Sequence, residues 1–187
     1  MRRKTASAEG ATSRSLVEVQ IMPISFEQHE ILGRLTVEAY RDGAGERELG
    51  TYEDELRAVS DRASDSVVLV AVDDVGTVLG GVTYVPGPEC RMSEFDDGDT
   101  AGIRMLAVRP SHQGLGVGRA LTEACIAHAR AAHRRRIVLH STAAMTVARG
   151  MYERRGFVRS PDLDSWVVEP PSSNDEPLHL MAYVFTL

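Results

Sequence analysis

Apolar and polar residues alternate along several short stretches of the chain, in the manner of half-buried β-strands. LVEVQIM (residues 16–22) alternates with a period of two, and AGIRMLAVRP (residues 101–110) predicts a second strand that ends at a proline. β-Branched residues dominate SVVLVAVDDVGTVLGGVTYVP (residues 66–86), where Asp73 to Gly76 have the composition of a turn between two strands. Further strands are predicted at RIVLHS, at Phe157 and Val158, and at LHLMAYVFTL.

Helical spacing of apolar residues replaces this alternation in four other segments. Ser25 and Gln28 have the spacing of a capping box, so a helix is predicted from there to Gly43 and Gly45. Thr51 is the predicted N-cap of a second helix. The remaining helices are predicted to follow the glycines of QGLGVGRA, with apolar positions from Val117 to His128, and to span Ala143 to Arg155.

The predicted order of elements, β-α-α-β-β-β-α-β-α-β-β, indicates an α/β fold with one mixed sheet flanked by helices. A chain of 187 residues is long enough for one domain, which we expect at residues 16–187. Residues 1–15 have few large apolar side chains and predict a flexible tail. Residues 161–177 are rich in Pro, Ser and Asp, which favours a loop interrupted by the short apolar piece WVV.

Composition excludes several broad classes of protein. The hydrophobic fraction of 43% and the charged fraction of 26% are typical of a globular domain, and the net charge of -6 argues against a nucleic-acid partner. Cys90 and Cys125 are too far apart, and too isolated from histidines, to predict a metal site or a disulfide framework. No apolar segment has the length of a signal peptide core or a membrane span, so we expect a cytoplasmic protein without a membrane partner.

Three glycines occupy alternate positions in QGLGVGRA, residues 113–120, between a predicted strand and a predicted helix. The first N–H groups of a helix have no helical acceptor, and the helix dipole favours negative charge there. Small residues allow an anion to approach those groups closely. A tight turn that requires positive φ would explain one glycine, but three with this spacing favour a phosphate-binding turn.

Two familiar nucleotide-binding patterns fit this turn poorly. The dinucleotide pattern GxGxxG requires a third glycine where this chain has Arg119, and a Walker loop requires a lysine that is absent. A dinucleotide-binding enzyme of the Rossmann type therefore remains only as an alternative.

The turn does match the pattern [Q/R]-x-x-G-x-[G/A], and ARGMYERRGF follows about thirty residues later. With these two segments in this order, the chain resembles the GNAT superfamily of acetyl-CoA-dependent N-acetyltransferases over nearly the whole of its ordered length. The resemblance implies a strongly twisted mixed sheet, acetyl-CoA as cosubstrate, and direct transfer of the acetyl group to a primary amine of a small molecule or peptide. Members of that family often form dimers, which leaves a homodimer open.

The resemblance also implies which residues hold the coenzyme. Its pyrophosphate would lie on the main chain of the turn, and its pantetheine arm beside the preceding strand, where the sheet opens at a bulge and a main-chain N–H can polarise the thioester oxygen. The residues implied for the turn are Gln113, Gly114, Leu115, Gly116, Val117, Gly118 and Arg119, and those for the strand are Leu106, Ala107 and Val108. One departure is Met145, which stands where many members have an asparagine that contacts the coenzyme.

Tyr152 of ARGMYERRGF matches the family tyrosine that acts as the general acid toward the leaving sulfur. The alternative is a buried aromatic residue whose hydroxyl is satisfied by a main-chain carbonyl. Candidates for the general base, or for steering a cationic amine, lie in one acidic loop and are Glu94, Asp96, Asp97 and Asp99. An ordinary solvated loop would also account for them. His140 is a second base candidate, although a structural role would explain it equally.

A protein of this fold could also bind coenzyme A without turnover, as a sensor or partner module. The sequence does not identify the acceptor amine.

Overall fold

The computed structural model describes residues 18–43, 49–167 and 177–187. The expected tail at residues 1–15, the start of the first predicted strand, Gly45, and residues 168–176 of the predicted loop lie outside the described residues. No helix within the described ranges is long and apolar enough to cross a membrane.

Eight strands form the sheet, in the order β1-β2-β3-β4-β5-β8-β6, and the short β7 pairs with β8. Parallel pairing occurs between β4 and β5, whereas the other described neighbours are antiparallel. This mixed sheet is not the open parallel sheet that a Rossmann enzyme requires. The strands are β1 (Gln20–Pro23), β2 (Val67–Val72), β3 (Val78–Val85), β4 (Thr100–Val108), β5 (Arg136–Ser141), β6 (Val158–Arg159), β7 (Ser165–Val167) and β8 (Leu178–Thr186).

The predicted helices are present, with differences at their ends. The Ser25 N–H donates to the Gln28 side chain at 2.9 Å, as a capping box requires, although a 3-10 turn separates that box from α1. Thr51 precedes α2 as predicted, but its side chain makes no capping hydrogen bond, and acidic residues in the first turn supply the favourable charge instead. The helices are α1 (His29–Gly43), α2 (Tyr52–Arg57), α3 (Val59–Arg62), α4 (Val117–Ala131) and α5 (Thr146–Arg154).

Alternate residues of β2 face two different hydrophobic clusters, because successive side chains of a strand point to opposite faces. Leu69 and Ala71 pack in the cluster that contains Leu121 of α4, whereas Val68 and Val70 pack in the cluster that contains Leu32 of α1. Helices therefore cover both faces of the sheet. Full burial of one such leucine stabilises the fold by about 1.5–3 kcal/mol.

An irregularity in β4 opens the sheet. Gly81 pairs with Ala107 and Thr83 pairs with Arg104, so β4 has one more residue than β3 between these two pairs, which is a β-bulge. Met105 lies in this bulge and has φ of 49°. Pairing of β4 with β5 ends at Ile103 and Leu139. A bulge increases the local bend of a strand, so the remainder of β4 leaves β5. The expected bulge and opening are both present.

Candidate active site

The glycine turn leads directly into α4. Gly114 has φ of 76° and Gly116, the N-cap, has φ of 93°, which are backbone conformations that glycine adopts without the steric cost of a Cβ. The Ala120 N–H donates to the Gly116 carbonyl at 3.0 Å and makes the first helical bond. The N–H groups of residues 117–119 consequently have no helical acceptor and are available to an anion.

Gly118 lies in the first turn of α4, where the backbone approaches α5 and β4. A Cβ added there would lie 3.3 Å from Met151 Sδ and 3.5 Å from Val108 Cγ2. The glycine therefore permits close packing, whereas Gly114 and Gly116 permit the turn.

A cavity of about 750 Å³, which we call the turn cavity, lies along the glycine turn, the end of β4 and the start of α5. Its lining includes Arg119, Arg154 and Arg155. Arg155 forms an ion pair with Glu123, but its Nε is buried without a hydrogen-bond partner among the described residues. Free helix N–H groups, arginines and an unpartnered buried donor together suit a ligand with phosphate groups.

Main-chain groups of β4 also face this opening. The Arg109 N–H donates to the Leu79 carbonyl of β3 at 2.8 Å. Because alternate residues of a strand direct their N–H and C=O groups to opposite edges, those of Leu106 and Val108 point toward the side that β5 has left. An extended ligand can bind there as a strand would.

A second cavity, of about 510 Å³, lies on the other side of the opening, and we call it the tyrosine cavity because Tyr40, Tyr52 and Tyr152 line it. It shares part of its wall with the turn cavity. The shared residues are Tyr40, Leu106, Ala144, Met145 and Ala148. The two cavities thus meet at the bulge, and Met145 contributes to both.

Tyr152 lies in α5 with 5% of its surface exposed, and its ring centre is 5.6 Å from that of Phe157. Its hydroxyl has no hydrogen-bond partner in the described part of the chain. A purely structural tyrosine was expected to donate its hydroxyl to a main-chain carbonyl, and Tyr152 does not. Burial raises the pKa of Tyr152 well above its usual value, with a smaller contribution from Cys125. The hydroxyl therefore remains protonated and can donate.

Glu94 is the member of the acidic loop that lines the tyrosine cavity. Its Oε1 lies 2.5 Å from Arg104 Nη1, and its Oε2 lies 2.6 Å from Nδ1 of His140, whose side chain is 8% exposed. His140 Nε2 lies 2.9 Å from the Leu163 carbonyl, which can only accept. Since the carboxylate also accepts, both nitrogens of His140 donate, and the ring is held as an imidazolium.

The pKa values of this pair follow from its geometry. Burial alone would lower the pKa of His140, but the hydrogen bonds to Glu94 and to the Leu163 carbonyl outweigh it and raise the pKa. Burial alone would raise the pKa of Glu94, but His140 and Arg104 outweigh it and lower the pKa. An ionised Glu94 with both oxygens occupied is a poor base, and an imidazolium cannot accept a proton.

The structure places the other acidic candidates outside both cavities. Asp97 accepts from the Thr100 hydroxyl at 2.7 Å and from Arg136 Nη2 at 2.8 Å, at the end of β4 remote from the bulge. Asp99 lies 3.7 Å from Arg135, and Asp96 is exposed. Asp97 and Asp99 have structural partners because the start of β4 pairs with β5, and the loop does not bring these three carboxylates to either cavity.

Several residues that line the tyrosine cavity were not predicted as site residues from the sequence. Arg104 carries a signal, because a charged residue within the apolar strand AGIRMLAV requires a buried partner. Tyr40, Tyr52 and His179 carry none, since each reaches the cavity only through the packing of α1, α2 and β8 against the opened sheet.

Comparison with known proteins agrees with this geometry. The model of the acetyltransferase (GNAT) family matches residues 29–157. A mycothiol acetyltransferase from Cellulomonas flavigena is 36% identical over 100 residues, which are 53% of this chain but only 28% of that protein's length.

Solved structures share the fold. A GCN5-related N-acetyltransferase from Kribbella flavida is 24% identical, with a TM-score of 0.66 over 90% of this chain and 98% of its own. The protein yncA from Salmonella typhimurium, whose structure contains its cofactor acetyl-CoA, is 19% identical, with a TM-score of 0.64 over 90% of this chain and 94% of its own. The family model covers more than half of the chain, and the chain belongs to the acetyltransferase (GNAT) family.

Proposed function

We propose that this protein transfers the acetyl group of acetyl-CoA to a primary amine, by direct attack while both substrates are bound. The observation that carries the proposal is the meeting of two cavities at the bulge of β4. A coenzyme in the turn cavity and an amine in the tyrosine cavity would approach each other where the two cavities meet, at the residues that line both, such as Leu106. Holding two reactants in contact is a large part of what catalysis of a bimolecular reaction requires.

Acetyl-CoA would supply a thioester, which is an activated acyl group with a thiol as leaving group. The residues that line the turn cavity are suited to bind acetyl-CoA. The N–H groups of residues 117–119 and the arginines of the turn cavity would bind the diphosphate, and the main chain of Leu106 and Val108 would bind the extended arm. A main-chain N–H at the bulge would donate to the carbonyl oxygen as charge develops on it.

Tyr152 would donate its proton to the departing sulfur. Burial holds the phenol in its protonated form, and a thiolate whose ordinary pKa is about 8.5 leaves more readily when a proton is supplied. Ala148, one turn earlier in α5, belongs to the shared wall, so Tyr152 stands beside the junction of the two cavities.

The acceptor we infer is a small primary amine with an apolar body. A cavity of about 510 Å³ is of the size that holds a small molecule, and much of its wall is apolar, including Leu49, Ile103 and Leu180. Glu94 is neutralised by its own cationic partners, so it gives little preference for a polycation. The relatives named mycothiol acetyltransferase match over too little of their length to identify the amine.

Calorimetry with acetyl-CoA and with NADH, followed by a panel of amines with detection of the free thiol, tests the proposal. We expect heat with acetyl-CoA alone of the two, and thiol release that depends on small primary amines. Binding without turnover on any amine would contradict transfer and support the sensor alternative.

A further inference from the structure

Two histidines line the tyrosine cavity, and they differ in what their nitrogens bind. Both nitrogens of His140 are occupied, by Glu94 and by the Leu163 carbonyl. His179 in β8 has one partner only: its Nε2 lies 2.7 Å from Asp164 Oδ2. Its Nδ1 has no hydrogen-bond partner among the described residues.

Asp164 fixes the tautomer of His179. The carboxylate is 15% exposed, and it also accepts from Arg159 Nη2 at 2.5 Å and from the Ala182 N–H at 3.0 Å. These hydrogen bonds, that from Arg159 first, hold the pKa of Asp164 well below its ordinary value, so it remains ionised. An ionised carboxylate only accepts, and Nε2 must therefore carry the hydrogen, which leaves a lone pair on Nδ1.

Trp166 fixes the plane of the same ring. It stands directly opposite His179 in the pairing of β7 with β8, and the two rings stack with centres 4.3 Å apart and planes 12° apart. A base whose tautomer and orientation are both set by neighbours is the arrangement that general-base catalysis uses. Glu94 and the imidazolium of His140 have no such free acceptor.

We propose that His179 is the general base toward the acceptor amine, with Asp164 as its positioning residue. The inference rests on the proposed acetyl transfer. Nδ1 takes a proton from the bound ammonium, and the neutral amine forms the C–N bond as the C–S bond breaks. Tyr152 gives its proton to sulfur and recovers one from the new amide nitrogen, while His179 releases its proton to solvent, so one proton is released for each transfer.

The test compares His179→Gln with the wild type for coenzyme binding, thermal unfolding and the pH dependence of kcat/KM. His128→Gln, an exposed histidine that lines neither cavity, is the matched control. We expect His179→Gln to bind acetyl-CoA normally and to lose about 100-fold or more of kcat/KM for an alkylamine. Its acid limb should move up to the pKa of the free amine, about 10, because only the unprotonated amine can then react. Asp164→Asn should lose part of the rate, because the tautomer is no longer fixed.

The charged groups that could also affect this profile are Asp164 and Arg159 beside the ring, and Glu55, Glu94, Arg104 and His140 around the cavity. A second acceptor amine distinguishes the effect of these charged groups on the rate from the effect of the base. O-Methylhydroxylamine is unprotonated at neutral pH and does not need the first proton removed, so His179→Gln should lose much less rate with it than with an alkylamine.

Equal losses with the two acceptors, or an unchanged acid limb in His179→Gln, would overturn the assignment of the base while leaving acetyl transfer intact. A wild-type protein that transfers to no amine would overturn both proposals, and calorimetry with acetyl-CoA would then show whether the coenzyme site survives.

Discussion

Gly118 of α4 and Met151 of α5 are in such close contact that a Cβ at position 118 would lie 3.3 Å from Met151 Sδ. The contact brings α5, which carries Tyr152, against the first turn of α4, which carries the free N–H groups. We therefore regard Gly118 as the residue that sets the distance between the proposed diphosphate site and Tyr152, the proposed general acid.

Replacement of Gly118 by valine should separate the two helices. We expect Gly118→Val to lower the free energy of unfolding by about 1–3 kcal/mol and to weaken acetyl-CoA binding in calorimetry. Gly98→Val is the control, because nothing lies within 4 Å of a Cβ at Gly98. Normal coenzyme affinity in Gly118→Val would show that this spacing is unimportant.

Gly116 and Gly76 have similar backbone conformations, with φ of 93° and 85°, but only Gly116 lines the turn cavity. Alanine at either position should lower the free energy of unfolding by about 1 kcal/mol, because a Cβ is disfavoured at positive φ. Only Gly116→Ala should also reduce the rise in melting temperature that acetyl-CoA produces. If Gly76→Ala reduced it equally, the effect would be one of general stability.

The general-acid role predicts a specific defect in Tyr152→Phe. Removal of the hydroxyl should lower kcat by about 10²-fold or more, with little change in acetyl-CoA affinity, because the proposed role of the hydroxyl is to protonate the leaving sulfur. Tyr84→Phe alters a buried tyrosine that lines neither cavity and should retain activity. Retention of full kcat by Tyr152→Phe would remove the acid role.

The pair of His140 and Glu94 predicts a pH window of stability. Since the pKa of His140 is raised, its contribution is complete below the ordinary value of 6.5 and is lost as pH rises through the raised pKa. Since the pKa of Glu94 is lowered, its contribution is complete above 4.5 and is lost as pH falls through the lowered pKa. The pair is therefore most stabilising between these two ordinary values.

Glu94→Gln should lower the free energy of unfolding by about 1–3 kcal/mol in urea titrations at pH 5.5, and by less at pH 9. The difference should shrink as pH rises through the raised pKa of His140, because a neutral ring interacts less strongly with the Glu94 carboxylate. An equal loss at the two pH values would indicate that the ion pair with Arg104 alone stabilises this site.

Asp97 predicts a structural effect without a kinetic one. Asp97→Asn weakens the contacts to Thr100 and Arg136 and should lower the free energy of unfolding by about 0.5–1 kcal/mol, because solvent screens a partly exposed pair. Asp96→Asn, at an exposed position, is the control. Neither should change KM for the amine, and a raised KM in both would restore the idea that the acidic loop steers a cation.

The local elements of the fold follow from the sequence because hydrophobic periodicity and glycine positions are themselves local. RIVLHS was predicted as a strand and is β5, and the glycines before Val117 were predicted to form the turn that α4 follows. The piece WVV was predicted as an interruption of a loop, whereas Ser165–Val167 is a strand, because β8 offers it a free edge.

The sequence by itself determined the glycine turn before α4, since the turn depends on spacing within one segment, and the resemblance to the family implied the bulged strand and the role of the tyrosine of α5. Only the tertiary structure decided which polar groups line the tyrosine cavity. Glu94 and His140 come from separate segments and neutralise each other, while Asp164 and Trp166 orient His179 across β7 and β8. Hydrogen bonds and stacking act over a few ångströms in space, so residues distant in the chain determine which nitrogen remains free to accept a proton.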